Sequence, residues 1–210
     1  MRKLLFITLI SIMVISLMSG CGKKDTPASP PFMLKNGDME EKDPKKEFPM
    51  FWGKGGQADK ILGDDDKYIY VEATAEQLNH ITYITDPEDD NSYIKIGTIT
   101  KQNNFIYAYQ SIENNIPKGK KLKLTVKIKT ENLTGGGAAL FLRCDDSSGV
   151  VQFAATEHSI EIKGTKDWTT YTLELNERVR SDIESIIVFL LFTSDTSGTV
   201  YFDDASLTAY

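Results

Sequence analysis

Hydrophobic and polar residues alternate with a period of two along much of the chain. In KKLKLTVKIKT, at 120–130, Leu122, Leu124, Val126 and Ile128 alternate mainly with lysines. Successive side chains of a β-strand point to opposite faces, so this pattern predicts a strand with one face in the core and the other in solvent. WTTYTLEL at 168–175 and TVYFDDASL at 199–207 show the same alternation.

Three more segments have the composition of strands: NNFIYAYQSIE, GGAALFLRC and ESIIVFLLFT. The last is apolar enough to predict burial on both faces. Turn residues separate the strands in IPKGKK, LTGGG, DDSSG, KGTKD and SDTSG, and ATAEQL predicts one short helix. Many short strands between turns rich in Gly, Pro and Asp predict an all-β chain, a β-sandwich of antiparallel sheets.

The first 21 residues, MRKLLFITLISIMVISLMSGC, have a different pattern. Arg2 and Lys3 precede an uncharged apolar stretch that is shorter than the roughly 20 residues a spanning helix needs, which predicts an export signal over 1–20. The small residues before Cys21 match the bacterial lipoprotein signal, in which that cysteine is lipidated and becomes the new N-terminus. The alternative is a buried or disulfide-bonded Cys21, for which Cys144 is the only other cysteine.

Residues 21–31 continue as GKKDTPASPP after the cysteine, which predicts an extended tether. The remaining residues 32–210 are long enough for one domain with a sizeable core.

Without Arg2 and Lys3, the chain has 22 basic and 30 acidic residues, a net charge of −8. This charge disfavours nucleic acid as a partner and electrostatic docking on anionic lipid. We therefore expect a monomer held at the cell membrane or outer membrane by the palmitate-type anchor at Cys21, on the extracytoplasmic side.

The order of several motifs resembles a known family. LKNGDMEE, the tryptophan at 52, YQSIENNIPKGKKLKLTVKIKT, GTKDWTTYTLEL and GTVYFDDASL are similar, in order and spacing, to the carbohydrate-binding modules of the CenC type, families four, nine and twenty-two. The similarity covers 33–207. It implies a jelly-roll β-sandwich of two antiparallel sheets, with a galactose-binding-like topology.

The same resemblance implies a structural calcium ion. In these modules the NG-x-x-E segment and the aspartate of the last strand lie side by side, which here assigns Glu40 and Asp203 as ligands. Asn36 or Asp38 would add nearby oxygens. Calcium takes six to eight oxygen ligands and would offset the repulsion between clustered carboxylates. The alternative is that Asp203 and its neighbour Asp204 face solvent or pair with lysine.

The resemblance also implies a sugar-binding cleft on the concave sheet. Aromatic rings that stack on sugars, and planar polar side chains, are available on two strands at Tyr107, Tyr109, Gln110, Phe141 and Arg143. Tyr109 and Gln110 point to opposite faces of one strand. Gln110 aligns with a cleft glutamine of the family and is the favoured candidate, with Tyr107 and Tyr109 as alternatives for the core. Tyr93 is a candidate for the rim.

No pattern typical of a catalytic centre stands out. His80 and His158 are isolated, and the chain contains no GxSxG or HExxH motif. We therefore expect a non-catalytic, lipid-anchored lipoprotein that binds a polysaccharide or oligosaccharide at the cell envelope. The alternative is an envelope-assembly lipoprotein that keeps the fold and binds a protein instead of a sugar.

Overall fold

The computed structural model describes residues 33–62, 68–102, 105–157 and 159–210. The predicted signal, Cys21 and the tether lie outside these residues. The elements are β1 (Lys42–Asp43), β2 (Phe48–Pro49), β3 (Gly53–Leu62), β4 (Tyr68–Glu72), α1 (Ala75–Leu78), β5 (Ile81–Thr85), β6 (Ser92–Gln102), β7 (Phe105–Ile112), β8 (Leu122–Asp146), β9 (Gly149–Ala155), β10 (Ile162–Leu175), β11 (Ser185–Phe192) and β12 (Thr196–Ala209).

The main sheet is antiparallel, and it curls into two layers. Its strands follow the order β4-β3-β7-β11-β8-β12-β6-β5, with β9 and β10 also paired to β8. Residues 138–145 of β8 pair with β11, and residues 122–134 pair with β12. We call the layer of β4, β3, β7, β11, the second half of β8 and β9 the front sheet. The back sheet comprises β10, the first half of β8, β12, β6 and β5. This architecture confirms the predicted all-β jelly-roll sandwich.

Strand β8 passes from one layer to the other through three consecutive glycines. Gly135 and Gly137 have φ angles of +77° and +86°, and a Cβ at Gly135 would lie 1.8 Å from the carbonyl oxygen of Asp195. Only glycine accepts this backbone and this close approach without strain. The prediction that LTGGG is a turn is therefore wrong: the segment bends a strand of 25 residues and does not reverse the chain.

The core forms as the alternation predicts. Leu122, Leu124, Val126 and Ile128 are buried in one apolar cluster with the inward residues of β7, β11 and β12. The predicted short helix is α1, which Thr74 caps: the Thr74 side chain accepts from the Gln77 N–H, and the Gln77 side chain accepts from the Thr74 N–H. None of the helices in the described part of the chain has the length and apolarity needed to cross a bilayer.

Candidate functional site: an aromatic face on the front sheet

The outer face of the front sheet is aromatic. On β7 the residues Ile106 and Ala108 point into the core, so Tyr107 and Tyr109 point outward. The antiparallel register places Phe189 of β11 opposite Tyr109 and also opposite Phe141 of β8. Phe153 of β9 lies opposite the residue two positions after Phe141. Four adjacent strands therefore present five rings, which together we call the aromatic face: Tyr107, Tyr109, Phe141, Phe153 and Phe189.

The five rings contact one another in a continuous band. The Tyr107 ring meets the Phe189 ring edge-on at 5.0 Å between centroids, and Phe189 lies 5.7 Å from Phe141. Phe141 and Phe153 are stacked at 5.8 Å with an interplanar angle of 29°. The exposed fraction rises from 8% at Phe189 to 66% at Phe153. Contacts between rings hold each ring in a defined orientation, and the outer rings remain open to a ligand.

Two glycines of β3 make room for the tyrosine rings. Gly53 pairs with Tyr109 and Gly55 pairs with Tyr107. A Cβ at Gly53 would lie 2.6 Å from the Tyr109 ring, and a Cβ at Gly55 would lie 2.5 Å from the Tyr107 ring. The tyrosine rings therefore lie over the backbone of β3, where any side chain would displace them.

A charged pair lies among the rings. The Arg143 guanidinium is 5.4 Å from the Phe189 centroid and donates to the Asp145 carboxylate at 2.9 Å. Arg143 and Asp145 share the outward face of β8, since their neighbours Leu142 and Cys144 are buried. The pair places a hydrogen-bonding group beside flat apolar surface, which is the combination that fixes the orientation of a bound sugar.

Two hollows adjoin the aromatic face. One, of about 390 Å³, is lined by Phe105, Tyr107, Phe141, Arg143 and Phe189 among others. The other, also about 390 Å³, lies beyond the tyrosines and includes Gly55, Val71 and Glu72 in its lining. Both fall within the usual range of ligand sites, roughly 300–1,000 Å³.

The structure separates the sequence-predicted candidates into three places. Tyr107, Tyr109, Phe141 and Arg143 lie together on the front sheet. Gln110 lies on the opposite face of β7 and is 4% exposed. Its side-chain amide bonds to Lys35, accepting from the N–H at 2.8 Å and donating to the carbonyl oxygen at 2.9 Å. Gln110 thus fastens the segment before β1, on the face of β7 opposite the two tyrosines, and it also lines a hollow of about 640 Å³ beside Lys35 and Phe51.

Tyr93 lies on the outer face of the back sheet, away from the predicted rim. Its ring is 5.6 Å from both Trp168 and Tyr201. Phe153 and Phe189 are aromatic-face residues that the sequence analysis missed. Phe153 belongs to β9, which the analysis did not identify, since VVQFAA lacks an alternation of apolar and polar residues. Phe189 lies in the uniformly apolar β11, where the pattern cannot show which side chains point outward.

Asp203 and Glu40, two of the predicted calcium ligands, lie near each other. The Asp203 carboxylate is 4% exposed and accepts from the Asn91 side chain at 3.0 Å, while Glu40 accepts from the next backbone N–H, that of Ser92, at 3.0 Å. Burial is the main reason that the pKa of Asp203 is raised to about 6, and the charges of Asp204 and Glu40 act in the same direction against its hydrogen bonds. Glu40 is exposed, so the pair combines one buried and one accessible carboxylate, and carboxylate oxygens suit a divalent cation.

The other two predicted ligands are placed differently. The Asn36 side-chain oxygen accepts from the Glu41 N–H at 2.9 Å, and its backbone oxygen accepts from the Trp52 indole at 2.9 Å. Asp38 is exposed. Within the described residues, no group of three or more His, Cys, Asp or Glu side chains is arranged to hold a metal. A cation here would therefore need backbone oxygens or water in addition to Glu40 and Asp203.

A β-bulge separates the environments of the two adjacent aspartates within the chain's last strand. The register of β12 against β8 shifts between Asp203 and Ser206, and Asp204 has a φ angle of +46°. The extra residue turns Asp203 inward and Asp204 outward, where it pairs with Lys127 at 2.6 Å. The alternative that Asp203 and Asp204 face solvent or pair with lysine is therefore observed for Asp204 alone.

We expect the buried Asp203 to make the metal-free protein less stable as the pH rises. Because its pKa is higher in the folded chain than in the unfolded chain, the folded state binds more protons between about pH 4 and 6. The free energy of unfolding should fall by about 1–2 kcal/mol from pH 5 to pH 7.5, and Asp203→Asn should remove that part of the slope. Chemical denaturation at each pH measures it.

Asp204→Asn is the matched control, since its side chain is exposed and paired with Lys127. It should leave the slope close to that of the unmodified protein. A metal-free protein whose pH slope is the same with Asp203→Asn as without it would contradict the assignment of this carboxyl.

Comparison with known proteins gives matches in structure only. No protein-family model matches the chain, and no curated protein matches it. A Stig cyclase from Fischerella sp. TAU, solved with a 3H-indole compound, is 17% identical, with a TM-score of 0.57 over 87% of this chain and 98% of that one. The enzymatically active domain of a bacteriophage CBA120 tailspike protein also matches, with 12% identity and a TM-score of 0.54 over 85% of this chain. This chain spans only 21% of the length of that protein.

Two further matches are carbohydrate-binding modules. A CBM61 module in complex with β-1,4-galactotriose is 14% identical, with a TM-score of 0.52 over 86% of this chain and 99% of that one. The CBM22-1 xylan-binding domain from Paenibacillus barcinonensis is 11% identical, with a TM-score of 0.50 over 86% and 96%. At such identities the comparisons establish the fold: the chain has the jelly-roll architecture of carbohydrate-binding modules, which a cyclase also adopts.

Proposed function

We propose that this chain is a non-catalytic protein that binds a polysaccharide or oligosaccharide through the aromatic face. The observation that carries the proposal is the band of five rings across four strands, bordered by the Arg143–Asp145 pair. Sugar rings present apolar C–H faces that stack on aromatic surface, and their hydroxyl groups take hydrogen bonds from charged planar side chains. The bound trisaccharide of one structural neighbour supports the same ligand class.

Binding without catalysis suits the charges on this surface. Arg143 and Asp145 pair with each other at 2.9 Å, so this carboxylate already has a charged partner. Glycoside cleavage uses two carboxyl groups that flank the scissile bond, one of them acting as a general acid. The pair therefore fits a role in orienting a sugar better than a role in protonating one.

The proposal includes the anchor. Lipidation at Cys21 and the tether up to residue 31 would hold the domain at the cell membrane or outer membrane, where it would concentrate glycan for partner enzymes or transporters. The support for this part is the sequence pattern of the first 31 residues alone. Mass spectrometry of the membrane-extracted protein, beside a Cys21→Ala variant, tests it directly.

A structural calcium ion between Glu40 and Asp203 belongs to the same proposal. Its support is the pair of neighbouring carboxylates and the raised pKa of Asp203. Calcium would favour the ionised form of Asp203 and join the start of the domain to β12. A rise in melting temperature with calcium, lost in Asp203→Asn, is the expected observation.

A protein partner is the second candidate, and one observation favours it. Strand β9 lies at the edge of the front sheet and exposes Val150 by 52% and Phe153 by 66%. An edge strand with exposed apolar side chains can pair with an extended segment of another chain. The same residue, Phe153, therefore contributes to either function, and the ligand decides between them.

Replacing Phe153 by Ala should weaken binding to the glycan by about tenfold, because a sugar loses one open stacking ring worth ~1.4 kcal/mol. Phe153 is the most exposed large apolar residue among those described, so the fold should be unaffected. Affinity electrophoresis with glycans selected on an array measures the change.

Phe51→Ala is the matched control, because Phe51 is an exposed phenylalanine, 49% accessible, that lies outside the aromatic face and contacts Lys35. It should bind like the unmodified protein. Equal weakening by both substitutions, or glycan affinity unchanged by Phe153→Ala, would count against the aromatic face as the sugar site.

A further inference from the structure

The outer face of the back sheet carries a second aromatic cluster that the proposed function does not use. Tyr93 of β6, Tyr201 of β12 and Trp168 of β10 contact one another edge-on, with centroids 5.6 to 6.3 Å apart. We call these three residues the back-sheet cluster. The cluster and the aromatic face lie on the outer sides of opposite layers, so they form separate surfaces.

Cations surround Tyr201 in this cluster. The register places Tyr201 between Lys95 of β6 and Lys129 of β8, and both ammonium groups lie over its ring, at 5.8 and 5.2 Å from the centroid. Lys129 is neutralised by Glu131 at 3.2 Å. Lys95 forms no ion pair with any side chain in the described part of the chain, although its charge acts on the Glu131 carboxylate and helps to lower the pKa of that group. Lys95 is therefore the cation of this cluster that a ligand anion can bind beside aromatic surface.

A groove of about 500 Å³ begins at Lys95 and runs along the back sheet. Its floor contains Gly97 and Gly198. A Cβ at Gly198 would lie 2.4 Å from the backbone oxygen of Asn132, and Gly198 has a φ angle of +107°. The glycine allows β12 to bulge against β8 at this point, where the register shifts between Ser197 and Thr199. The bulge and the missing side chains together form the groove.

The walls of the groove carry hydrogen-bonding groups. Asn132, Ser197 and Thr199 supply an amide and two hydroxyl groups. Glu131 supplies a carboxylate, which the Tyr201 hydroxyl, donating at 2.7 Å, and Lys129 keep ionised by lowering its pKa. Acceptors and donors at this density suit a ligand with many hydroxyl groups.

We infer that this groove is a second binding site and that it takes an acidic oligosaccharide, one whose sugar units carry carboxylates. One unit lies in the groove with its carboxylate against Lys95 and its hydroxyl groups against Asn132, Ser197 and Glu131. The adjoining unit lies on Tyr93 and Trp168 of the back-sheet cluster. A neutral sugar would leave Lys95 without an ion-pair partner, and a flat apolar ligand would leave the groove's polar walls unpaired. The inference is independent of the aromatic face.

The test uses oligogalacturonate and its methyl ester, which has the same shape without the charge. The full chain carrying Tyr107→Ala and Phe141→Ala serves as the background, so that the aromatic face does not contribute. Calorimetry should show binding of oligogalacturonate that Lys95→Gln weakens about tenfold and Lys95→Arg largely preserves, because a charge-assisted hydrogen bond is lost only in the first. The methyl ester should bind about tenfold more weakly than the acid, and added salt should weaken only the acid.

Three results would overturn the inference. The first is equal affinity of oligogalacturonate for the background protein and for its Lys95→Gln variant. The second is the absence of binding to oligogalacturonate at millimolar concentration. The third is binding to anionic phosphatidylglycerol vesicles that depends on Lys95 while oligogalacturonate does not bind, which would assign the surface to membrane lipid. Thermal unfolding of each variant confirms that it is folded before its affinity is compared.

Discussion

Removing Tyr107 and Phe141 together should reduce glycan affinity at least about a hundredfold, since two stacking rings are lost, each worth ~1.4 kcal/mol or more. These rings flank Phe189, which contacts both at 5.0 and 5.7 Å. Their loss separates Phe153 from the band and leaves Phe189 with Tyr109, at 6.2 Å, as its remaining ring contact in the aromatic face. Titration calorimetry with the best array ligand measures the effect of Tyr107→Ala and Phe141→Ala.

Further substitutions distinguish the contribution of ring stacking from other contributions to glycan binding. Tyr107→Phe keeps the ring and should retain most of the affinity, while Tyr93→Ala removes a ring from the opposite layer and should leave binding at the aromatic face unchanged. If the double variant kept the full affinity while remaining folded, the aromatic face would not be the sugar site.

Replacing Gly37 by Ala should destabilise the protein by about 3 kcal/mol, because overpacking against backbone cannot be relieved by a rotamer change. A Cβ at Gly37 would lie 2.0 Å from the carbonyl oxygen of Ala205. The Gly37 oxygen accepts from the Ala205 N–H at 2.7 Å, and Met33 donates to Leu207 at 3.0 Å. The glycine of the NGDMEE segment therefore permits the start of the domain to lie against β12.

Gly119→Ala is the control for this substitution. Gly119 has a φ angle of +77° and no atom within 4 Å of an added Cβ, so alanine there costs only the left-handed backbone, about 1 kcal/mol. Urea denaturation of both variants gives the comparison. A Gly37→Ala protein as stable as Gly119→Ala would mean that the two ends of the domain are not packed as described.

Much of the fold can be predicted from the sequence, because alternation states directly which side chains are buried. The pattern around Leu122 to Ile128 identified both a strand and its inward face, and the segment ATAEQL indicated the short helix. The bend of β8 could not be predicted in this way. Three glycines signal a turn when read locally, and only the close approach of Asp195, sixty residues away in sequence, makes them the middle of one strand.

The candidate site was predicted less well, for a physical reason. The alternation of side chains along β7 shows that Tyr109 and Gln110 point to opposite faces of the strand, but it does not show which of the two faces the core. Gln110 was favoured because it aligns with a cleft glutamine of the family that the sequence resembles. In the structure it is buried because the Lys35 backbone satisfies both ends of its amide. That partner is 75 residues away and leaves no pattern in the sequence.

The pairing of strands accounts for the rest of the site. Phe189 and Phe141 become neighbours only through the register of β11 on β8, and the two glycines of β3 acquire their meaning only opposite Tyr107 and Tyr109. Asp203 is a similar case. Its burial depends on the bulge in β12, since strict alternation from the buried Phe202 would have placed Asp204 inside and Asp203 outside.

The most direct test of the central claim is NMR spectroscopy of the aromatic ring protons during titration with each soluble glycan that an array identifies. We expect shifts concentrated on Tyr107, Tyr109, Phe141, Phe153 and Phe189, with the glycan recovered unchanged. Failure of every glycan to shift these rings, or chemical conversion of the glycan during the titration, would contradict the proposal of a non-catalytic sugar-binding surface on the front sheet.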